Sequence, residues 1–142
     1  MQSEILVRHG TIHDLTSIMT LFGACFPDQE HSSFPFSHGE LPDRHLLIDL
    51  NGTIIGLIDL SEDGYVHHLL IHPDFQRQGY GEMLLSMIEK RAKKMDLETI
   101  YIESQQKTVK FFQNCGYSVM VSQHALEDVP CEAGVILKKD LM

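Results

Sequence analysis

Residues that could carry chemistry are concentrated between Tyr65 and Glu82, in the middle of the chain. Gly79 and Gly81 open an amphipathic helix there, and glycines leave the neighbouring backbone N–H groups uncovered. The first turn of a helix adds four unpaired N–H donors and the positive end of the helix dipole. This arrangement predicts a socket for a phosphate or pyrophosphate group.

The spacing of these glycines excludes two common phosphate-binding loops. A P-loop requires a glycine, four residues and then Gly-Lys-Ser/Thr, and the sequence contains no such run. A dinucleotide-binding loop requires a third glycine at the position that Leu84 occupies here. The pattern that remains is Gln76-x-x-Gly79-x-Gly81, which follows an apolar strand.

The first half of the chain predicts two antiparallel strands after an initial strand and helix. Asn51-Gly52 is a strong signal for a two-residue hairpin turn. Thr11, with Asp14 three residues later, predicts a variant of the capping box at a helix start. The predicted elements are a strand at Ile5–Arg8, a helix from Thr11 that Pro27 ends, and strands at Arg44–Leu50 and Thr53–Leu60. Residues 28–42 match no element clearly, and a loop with a short helix is the prediction there.

The second half predicts a β-α-β unit that contains the glycine loop. The predicted elements are a strand at Tyr65–Ile71, helices at Gly79–Met95 and Lys107–Cys115, and strands at Thr99–Glu103, Tyr117–Gln123 and Gly134–Lys139. Hairpins followed by a β-α-β unit indicate a mixed sheet with helices on both faces, which is an α/β or α+β architecture.

Composition narrows the class of protein. The chain has 142 residues, which suits a single domain, and 43% of them are apolar. No apolar run approaches the roughly 20 residues of a membrane span, and the N-terminus does not resemble a signal peptide. We therefore expect a cytoplasmic protein without a membrane partner. The net charge of −9 disfavours nucleic acid as a partner. It weakly favours an amine-bearing substrate, although solubility alone explains many acidic proteins.

The sequence predicts neither disulfides nor a metal site. Three cysteines, an odd number without metal-ligand spacing, are expected to be free thiols. His31, His38 and His45 have no cysteine or carboxylate at ligand intervals, so we expect them to bind no metal.

The motif Gln76-x-x-Gly79-x-Gly81, with His72-Pro73 before it and the segment 112–117 after its helix, resembles the signature of the GNAT superfamily of acyl-CoA-dependent N-acyltransferases. The resemblance extends over most of the chain and implies one GNAT domain over residues 1–142. It also implies the GNAT fold, a mixed and mostly antiparallel central sheet of about six to seven strands between helices. In that fold the strands corresponding to Tyr65–Ile71 and Thr99–Glu103 splay apart, and acyl-CoA lies in the opening.

The activity that the resemblance implies is transfer of an acetyl group from acetyl-CoA to a primary amine by direct attack. Acetyl-CoA is then the co-substrate, no metal is required, and the acceptor is a small-molecule or peptide amine. A homodimer is also compatible with the resemblance. The main alternative is a CoA-binding regulatory module that has lost catalysis. A nucleic-acid or protein-binding module is a third possibility, and the net charge argues against nucleic acid.

The resemblance also implies which residues hold CoA. The loop and helix start would bind the pyrophosphate through backbone N–H groups, and this set is Gln76, Arg77, Gln78, Gly79, Tyr80, Gly81 and Glu82. The pantetheine arm would pair with the main chain of Leu69, Leu70 and Ile71 as a short added strand. Gln105 occupies the usual asparagine position, and Thr108 would lie near the adenine or phosphate end unless it is only an exposed helix residue. Phe111 and Phe112 would pack against the CoA arm or in the core.

The catalytic assignment is the least determined part. By the resemblance, a His or Glu at the positions of His67 and Tyr65 takes a proton from the attacking amine, and imidazole suits this role because it titrates near neutral pH. The alternative for His67 is a hydrogen-bonded histidine without chemistry. His68, being adjacent, is expected to face the other way and to act through stability. Phe112 replaces the tyrosine that commonly protonates the leaving thiolate, so water is expected to take that role; Cys115 and Tyr117 are alternatives without support from spacing.

Overall fold

A computed structural model describes residues 4–26, 45–104, 106–120 and 135–141 of the chain. The strands are β1 (Ile5–Arg8), β2 (His45–Leu50), β3 (Thr53–Asp59), β4 (Tyr65–Val66), β5 (Leu69–Ile71), β6 (Thr99–Ser104), β7 (Ser118–Val119) and β8 (Val135–Asp140). The α-helices are α1 (Leu15–Cys25), α2 (Tyr80–Lys94) and α3 (Val109–Asn114). Within these ranges the strands form two four-stranded sheets, in the orders β1-β2-β3-β5 and β4-β6-β8-β7, and only β4 and β6 pair in parallel.

Two local sequence signals form the structures that they predict. Thr11 and Asp14 make a reciprocal capping box, and a short 3-10 turn between them leads directly into α1. Asn51 and Gly52 have φ angles of 52° and 91°, and this left-handed pair is what a tight hairpin turn between β2 and β3 requires. Both signals depend on residues close in sequence, which explains why the sequence alone was sufficient to predict them.

The strand predicted over Tyr65–Ile71 is interrupted at His67 and His68. The Oδ1 atom of Asp59 accepts a hydrogen bond from the backbone N–H of each histidine, at 2.9 and 2.8 Å. Before the break β4 pairs with β6, and after it β5 pairs with β3. The prediction of one continuous strand is therefore wrong, because the chain passes from one sheet to the other at these two residues.

Two hydrophobic cores lie on opposite faces of the first sheet. In β2, Leu47 belongs to the core under α1, whereas its neighbours Leu46 and Ile48 belong to the core under α2. The α2 core continues across the second sheet, where it includes Ile100 and Leu137. Each such side chain contributes about 1.5–3 kcal/mol when it is fully buried. The prediction of helices on both faces is confirmed.

The interruption also changes which way the two histidines face. Val66 packs in the α2 core and Leu70 in the α1 core, although residues four apart in an unbroken strand share a face. His67 follows Val66 and faces away from α2, and the ring of His68 contacts Phe22 of α1 with 5.3 Å between centroids. The prediction that His67 and His68 face opposite ways is therefore wrong: both lie on the α1 side.

Other element bounds differ from the predictions by a few residues. The helix predicted from Gly79 begins at Tyr80, with Gly79 as its cap. The helix predicted from Lys107 consists of a 3-10 turn followed by α3. Of the strand predicted over Tyr117–Gln123, the structure describes residues 117–120, which contain β7. Residues 121–134, Pro27 and residues 28–42 lie outside the described ranges. In the described part of the chain, no helix has the length and apolar character of a membrane span.

Candidate functional site

A groove of about 1000 Å³ opens where β5 and β6 diverge. This volume lies within the range of small-molecule sites. The β4–β5 segment and the following loop form one wall, and the end of β6 with the start of α3 forms the other. The groove lining includes most of the residues predicted to bind CoA: Leu69, Leu70, Ile71, Gln76, Arg77, Gly79, Tyr80, Gly81, Glu82, Thr108, Phe111 and Phe112. Gln78 is exposed in the same loop, and Gln105 lies outside the described residues.

The start of α2 forms an anion socket at one end of the groove. Gly79 caps the helix with a φ angle of 88°, and no side chain makes a capping hydrogen bond there. The N–H groups of Tyr80, Gly81 and Glu82 therefore keep the donor capacity that a helix start leaves unused. With the helix dipole, these groups favour a phosphate or pyrophosphate at this position.

The loop before the socket is held by contacts to the end of β5. The amide of Gln76 donates to the carbonyl oxygen of Ile71 at 3.0 Å, so this side chain fixes the loop. The ring nitrogen Nδ1 of His72 accepts from the backbone N–H of Asp74 at 3.1 Å and caps the short turn that begins at Pro73. These contacts set the position from which the chain enters α2.

Two cationic side chains border the groove. Arg77 comes from the loop, where its φ angle of 66° is in the left-handed region, and Lys107 precedes α3. Both side chains are exposed. Their charges add to the helix dipole, and the groove therefore favours an anionic ligand along this end.

Gly81 has a packing role that the motif alone did not indicate. A β-carbon on Gly81 would lie 3.1 Å from the ring atom Cζ of Phe111, whereas one on Gly79 would meet nothing within 4 Å. Gly81 therefore allows α2 and α3 to approach closely, while Gly79 supplies the left-handed conformation.

The free edge of β5 faces the groove. Asp59 N–H donates to the carbonyl of His68, and His72 N–H donates to the carbonyl of Ile55. Since hydrogen-bonded pairs alternate along an antiparallel ladder, the main-chain groups of Leu70 point to β3 and those of Leu69 and Ile71 point away from it. Of the three residues predicted to pair with pantetheine, Leu69 presents its N–H and carbonyl to the groove, and Ile71 presents its N–H. The Ile71 carbonyl already accepts from Gln76 and Cys25, and the buried side chain of Leu70 belongs to the core.

Phe112 lies on the opposite wall at the border of the groove and the α2 core. Its side chain is buried, and its ring meets those of Phe111 and Tyr117 edge to face, with centroids 5.1 and 6.1 Å away. The hydroxyl of Thr108, from the same segment, is hydrogen-bonded to that of Ser104 at the end of β6. Phe112 therefore contributes an apolar surface and has no proton to donate.

The two alternative acids do not reach the groove. The Tyr117 hydroxyl donates to Oε2 of Glu89 at 3.3 Å, and burial together with the Glu89 charge raises the pKa of this phenol well above its usual value. Burial also raises the pKa of the Cys115 thiol. Neither residue lines the groove, whereas Phe112 does.

The rings of His67 and Tyr65 lie side by side. Their rings stack with centroids 6.2 Å apart, and Tyr65 stacks in turn on Tyr101 at 5.0 Å. His67 lines the groove, and Tyr65 does not. The predicted shared face of the two residues is confirmed by this stack.

Asp59, which contacts His68 beside the groove, is a residue whose role the sequence did not indicate. Its side chain is only 3% exposed, and both oxygens are used. Oδ1 accepts the two backbone N–H groups at the strand break, and Oδ2 lies 2.8 Å from Nδ1 of His68. An aspartate at the end of an apolar strand is the single available signal, and it does not reveal which residues the carboxylate contacts.

Residues at the ends of two other elements also line the groove. Cys25 and Phe26 at the end of α1 and Glu103 and Ser104 at the end of β6 were not predicted. Burial raises the pKa of the Cys25 thiol, and its Sγ donates to the carbonyl of Ile71 at 3.5 Å. In the described ranges, no cluster of three or more His, Cys, Asp or Glu side chains could hold a metal ion; His31 and His38 lie outside those ranges.

Comparisons of the sequence with known proteins indicate one family. The family model described as an acetyltransferase (GNAT) domain matches residues 30–130. The amino-acid acetyltransferase of Pasteurella multocida is 24% identical over 127 residues, which cover 84% of this chain and 28% of that protein. The amino-acid acetyltransferase of Pseudomonas putida KT2440 is 27% identical over 122 residues, or 80% of this chain and 27% of that protein. The chain thus spans less than a third of the length of these relatives.

Solved structures share the fold at low identity. N-acetylglutamate synthase from Neisseria gonorrhoeae, complexed with coenzyme A and N-acetyl-glutamate, has a TM-score of 0.75 at 18% identity, covering 100% of this chain and 36% of that one. The PaiA N-acetyltransferase from Thermoplasma acidophilum, in complex with coenzyme A, has a TM-score of 0.72 at 16% identity, covering 96% and 99%. These likenesses confirm the fold predicted from the sequence.

Proposed function

Since the chain belongs to the GNAT acetyltransferase family, we propose that it transfers an acetyl group from acetyl-CoA to a primary amine. The observation that carries the proposal is the continuity of the groove with the uncapped start of α2. One elongated site therefore offers donors for a pyrophosphate at one end and two imidazoles at the other. An acyl-CoA has the matching order of groups, with its phosphates and its thioester at opposite ends.

The residues of the groove fit CoA along its length. The N–H groups at the start of α2 would hold the pyrophosphate, assisted by Arg77 and Lys107. The N–H and carbonyl of Leu69 and the N–H of Ile71, which point away from β3, would pair with the pantetheine arm as an added strand. Phe111 and Phe112 supply an apolar wall beside it. When bound, acetyl-CoA supplies an activated acetyl group with thiolate as the leaving group.

Leu69 is the proposed donor to the thioester carbonyl. The N–H groups of His67 and His68 are already bonded to Asp59, and that of Leu70 points to β3. Leu69 is thus the N–H donor nearest to the histidines along the free strand edge. A fixed donor at the position where negative charge develops lowers the barrier to acyl transfer.

In the proposed reaction the amine nitrogen bonds to the carbonyl carbon and then loses its second proton to water, the C–S bond breaks, and the thiolate takes a proton from water. Holding both reactants together supplies much of the rate. His67 is the proposed carrier of the proton that the acceptor ammonium must lose, and Tyr65 holds the ring by stacking. Glu103, also in the lining, adds negative charge that attracts an ammonium group.

Amino acids are the first acceptors to consider, because relatives are named amino-acid acetyltransferases. The α-amino group of an amino acid and the N-terminus of a peptide are both primary amines, so the proposal extends to these and to other small amines. A CoA-binding module without turnover is the second candidate, and the observation that favours it is Phe112 at the position of the usual acid.

The test is thiol release from acetyl-CoA in the presence of single amino acids, polyamines and N-terminal peptides, with the acetylated product identified by mass spectrometry. We expect release that depends on both the amine and the enzyme. Tight CoA binding without release for any amine would support the binding module instead. Gly79→Glu is the matched control, because its carboxylate would occupy and repel the pyrophosphate socket.

A further inference from the structure

We propose that Tyr65, Tyr101 and Glu103 form an acceptor-binding strip beside the groove, which selects an aliphatic amine that carries a second cationic group. The inference rests on the proposed acetyl transfer and names the acceptor class, which is a diamine or polyamine rather than a free amino acid. One amine reacts beside His67, and the strip holds the second ammonium group. The bonds that form and break are those of the acetyl transfer described above.

The strip lies on one face of the second sheet. β4 and β6 pair in parallel, with Tyr65 opposite Tyr101. Glu103 is two residues beyond Tyr101 in β6 and therefore shares its face, whereas Ile102 between them is buried in the α2 core. His67 shares the face of Tyr65, because their rings are stacked. The four polar and aromatic side chains thus lie together on the side of the sheet away from α2.

This face is continuous with the groove. His67 and Glu103 line the groove, and the two tyrosines lead away from it along the same pair of strands. Among the described residues, the core under α1 takes its strand side chains from β2, β3 and β5 and therefore none from the second sheet. Tyr65 is 37% exposed, and Glu103 is exposed as well. An acceptor whose amine lies beside His67 can therefore extend its chain along the two tyrosines.

The strip offers the groups that bind an ammonium ion. The rings of Tyr65 and Tyr101 stack with 5.0 Å between centroids, and aromatic rings attract cations. Each phenol oxygen can also accept a hydrogen bond from an ammonium group. In the part of the chain that the structure describes, the Glu103 carboxylate has no hydrogen bond or ion pair, so its charge is available to a ligand. The same charge repels the carboxylate of a free amino acid.

Lys138 marks the far limit of the strip. It lies opposite Tyr101 on β8, so it shares the same face, and it is exposed. Its charge repels an ammonium group that extends past Tyr101, which leaves the region between the tyrosines and Glu103 as the favoured position. Reversing the charge of Lys138 should therefore extend the strip, and it provides a test in which binding improves.

The first measurement compares putrescine with butylamine as acceptors in the thiol-release assay. The two amines have the same carbon chain, and putrescine alone has a second ammonium group. We expect kcat/KM per reactive amine to be about tenfold higher for putrescine, the order of magnitude for weak contacts at an exposed site. γ-Aminobutyrate, which carries a carboxylate instead, should be the poorest acceptor. Equal kcat/KM values for putrescine and butylamine would overturn the inference.

Three variants assign the preference to the strip. Tyr101→Leu should raise the KM for putrescine more than that for butylamine, and so reduce the preference. Lys138→Glu should increase the preference by lowering the KM for putrescine. Glu103→Gln should raise the KM for both amines, because Glu103 lines the groove as His67 does. Glu98→Gln is the control, because this exposed carboxylate lies just before the other end of β6. An unchanged preference in either Tyr101→Leu or Lys138→Glu would contradict the proposal.

Failure of the acetyl-transfer proposal has a different signature. No thiol release with any amine would overturn that proposal together with this inference, whereas equal release with putrescine and butylamine overturns only the choice of acceptor. If Tyr101→Leu does not fold, Lys138→Glu still decides the question, since the substituted side chain is exposed.

Discussion

Gly81 and Phe111 are in mutual contact across two helices, since a β-carbon at Gly81 would lie 3.1 Å from Cζ of the ring. The glycine that completes the phosphate-binding motif therefore also determines how closely α2 and α3 pack. The two roles are separable, because the first concerns the N–H groups at the helix start and the second concerns the missing side chain.

Gly81→Ala should change stability in opposite directions in two backgrounds. In the natural chain the added methyl group displaces the ring, and overpacking of this kind costs about 1–3 kcal/mol. With Phe111→Leu the ring atom is absent, so the gain of about 1 kcal/mol from replacing a helical glycine should remain. Urea unfolding of the natural chain, the two single variants and the double variant measures both differences in the free energy of unfolding. An equal change on Gly81→Ala in the natural chain and in Phe111→Leu would contradict the contact.

Gly79 allows a test of the anion socket by ligand-induced stabilisation. Coenzyme A at many times its Kd should raise the Tm of the natural chain by mass action. Gly79→Glu should abolish most of this shift, because the carboxylate repels the pyrophosphate at the start of α2. If ATP or NAD raised the Tm of the natural chain and coenzyme A did not, the assignment of the groove to coenzyme A would be contradicted.

Gly79→Asn is the matched control for that experiment. The position has a φ angle of 88°, and a non-glycine residue there costs roughly 1–2 kcal/mol. Asparagine tolerates this conformation better than most residues and carries no charge. The control should therefore lower the Tm but keep most of the shift with coenzyme A.

The fold was predictable from sequence wherever neighbours in sequence determine it. The turn at Asn51-Gly52 and the cap at Thr11 depend on residues within three positions, and both form as expected. The break at His67 and His68 depends on the side chain of Asp59, which arrives from the preceding strand. Hydrophobic alternation cannot detect such a contact, because alternation assumes a continuous strand.

The candidate site was likewise predictable only where neighbours in sequence determine it. The glycine loop is a contiguous motif, so its position at the start of α2 followed from the sequence. Cys25 and Glu103 enter the groove from two separate elements, and Asp59 reaches His68 from a third. Their proximity is a property of the tertiary fold. The packing between Gly81 and Phe111 is likewise absent from any local pattern.

His67→Ala should lower kcat by about 10–1000-fold at neutral pH, within or just below the range for a general base, and change the affinity for coenzyme A little. An ammonium group must lose a proton before it attacks, and His67 lies in the groove beside the strand that would pair with pantetheine. The deficit should shrink between pH 6 and 9 because the free amine becomes more abundant. His13→Ala, at an exposed position before α1, is the control. Equal turnover of His67→Ala and the natural chain at all these pH values would remove His67 from the mechanism.

The ion pair between Asp14 and Arg8 should make the protein less stable in acid. Its carboxylate receives two hydrogen bonds from Arg8, at 2.9 Å each, and one from the backbone of Thr11 at 2.7 Å. The Arg8 contacts lower the pKa of Asp14 from 3.8 to about 2. Because the folded-state pKa lies below that of the unfolded chain, the stabilisation is fully present above about pH 5 and is lost as the pH falls through 4 towards 2.

Asp14→Asn removes the titrating group at this site. At pH 7 the variant should be less stable, since the capping box and the ion pair with Arg8 are both weakened. The difference in the free energy of unfolding between the natural chain and Asp14→Asn should narrow by about 1 kcal/mol between pH 7 and pH 3. This value allows for the partial exposure of the ion pair. Urea unfolding at pH 7, 5 and 3 gives the comparison, with Asp63→Asn in an exposed turn as the control. If Asp14→Asn and the natural chain lost equal stability over this range, the Arg8–Asp14 pair would not be the source of the acid sensitivity.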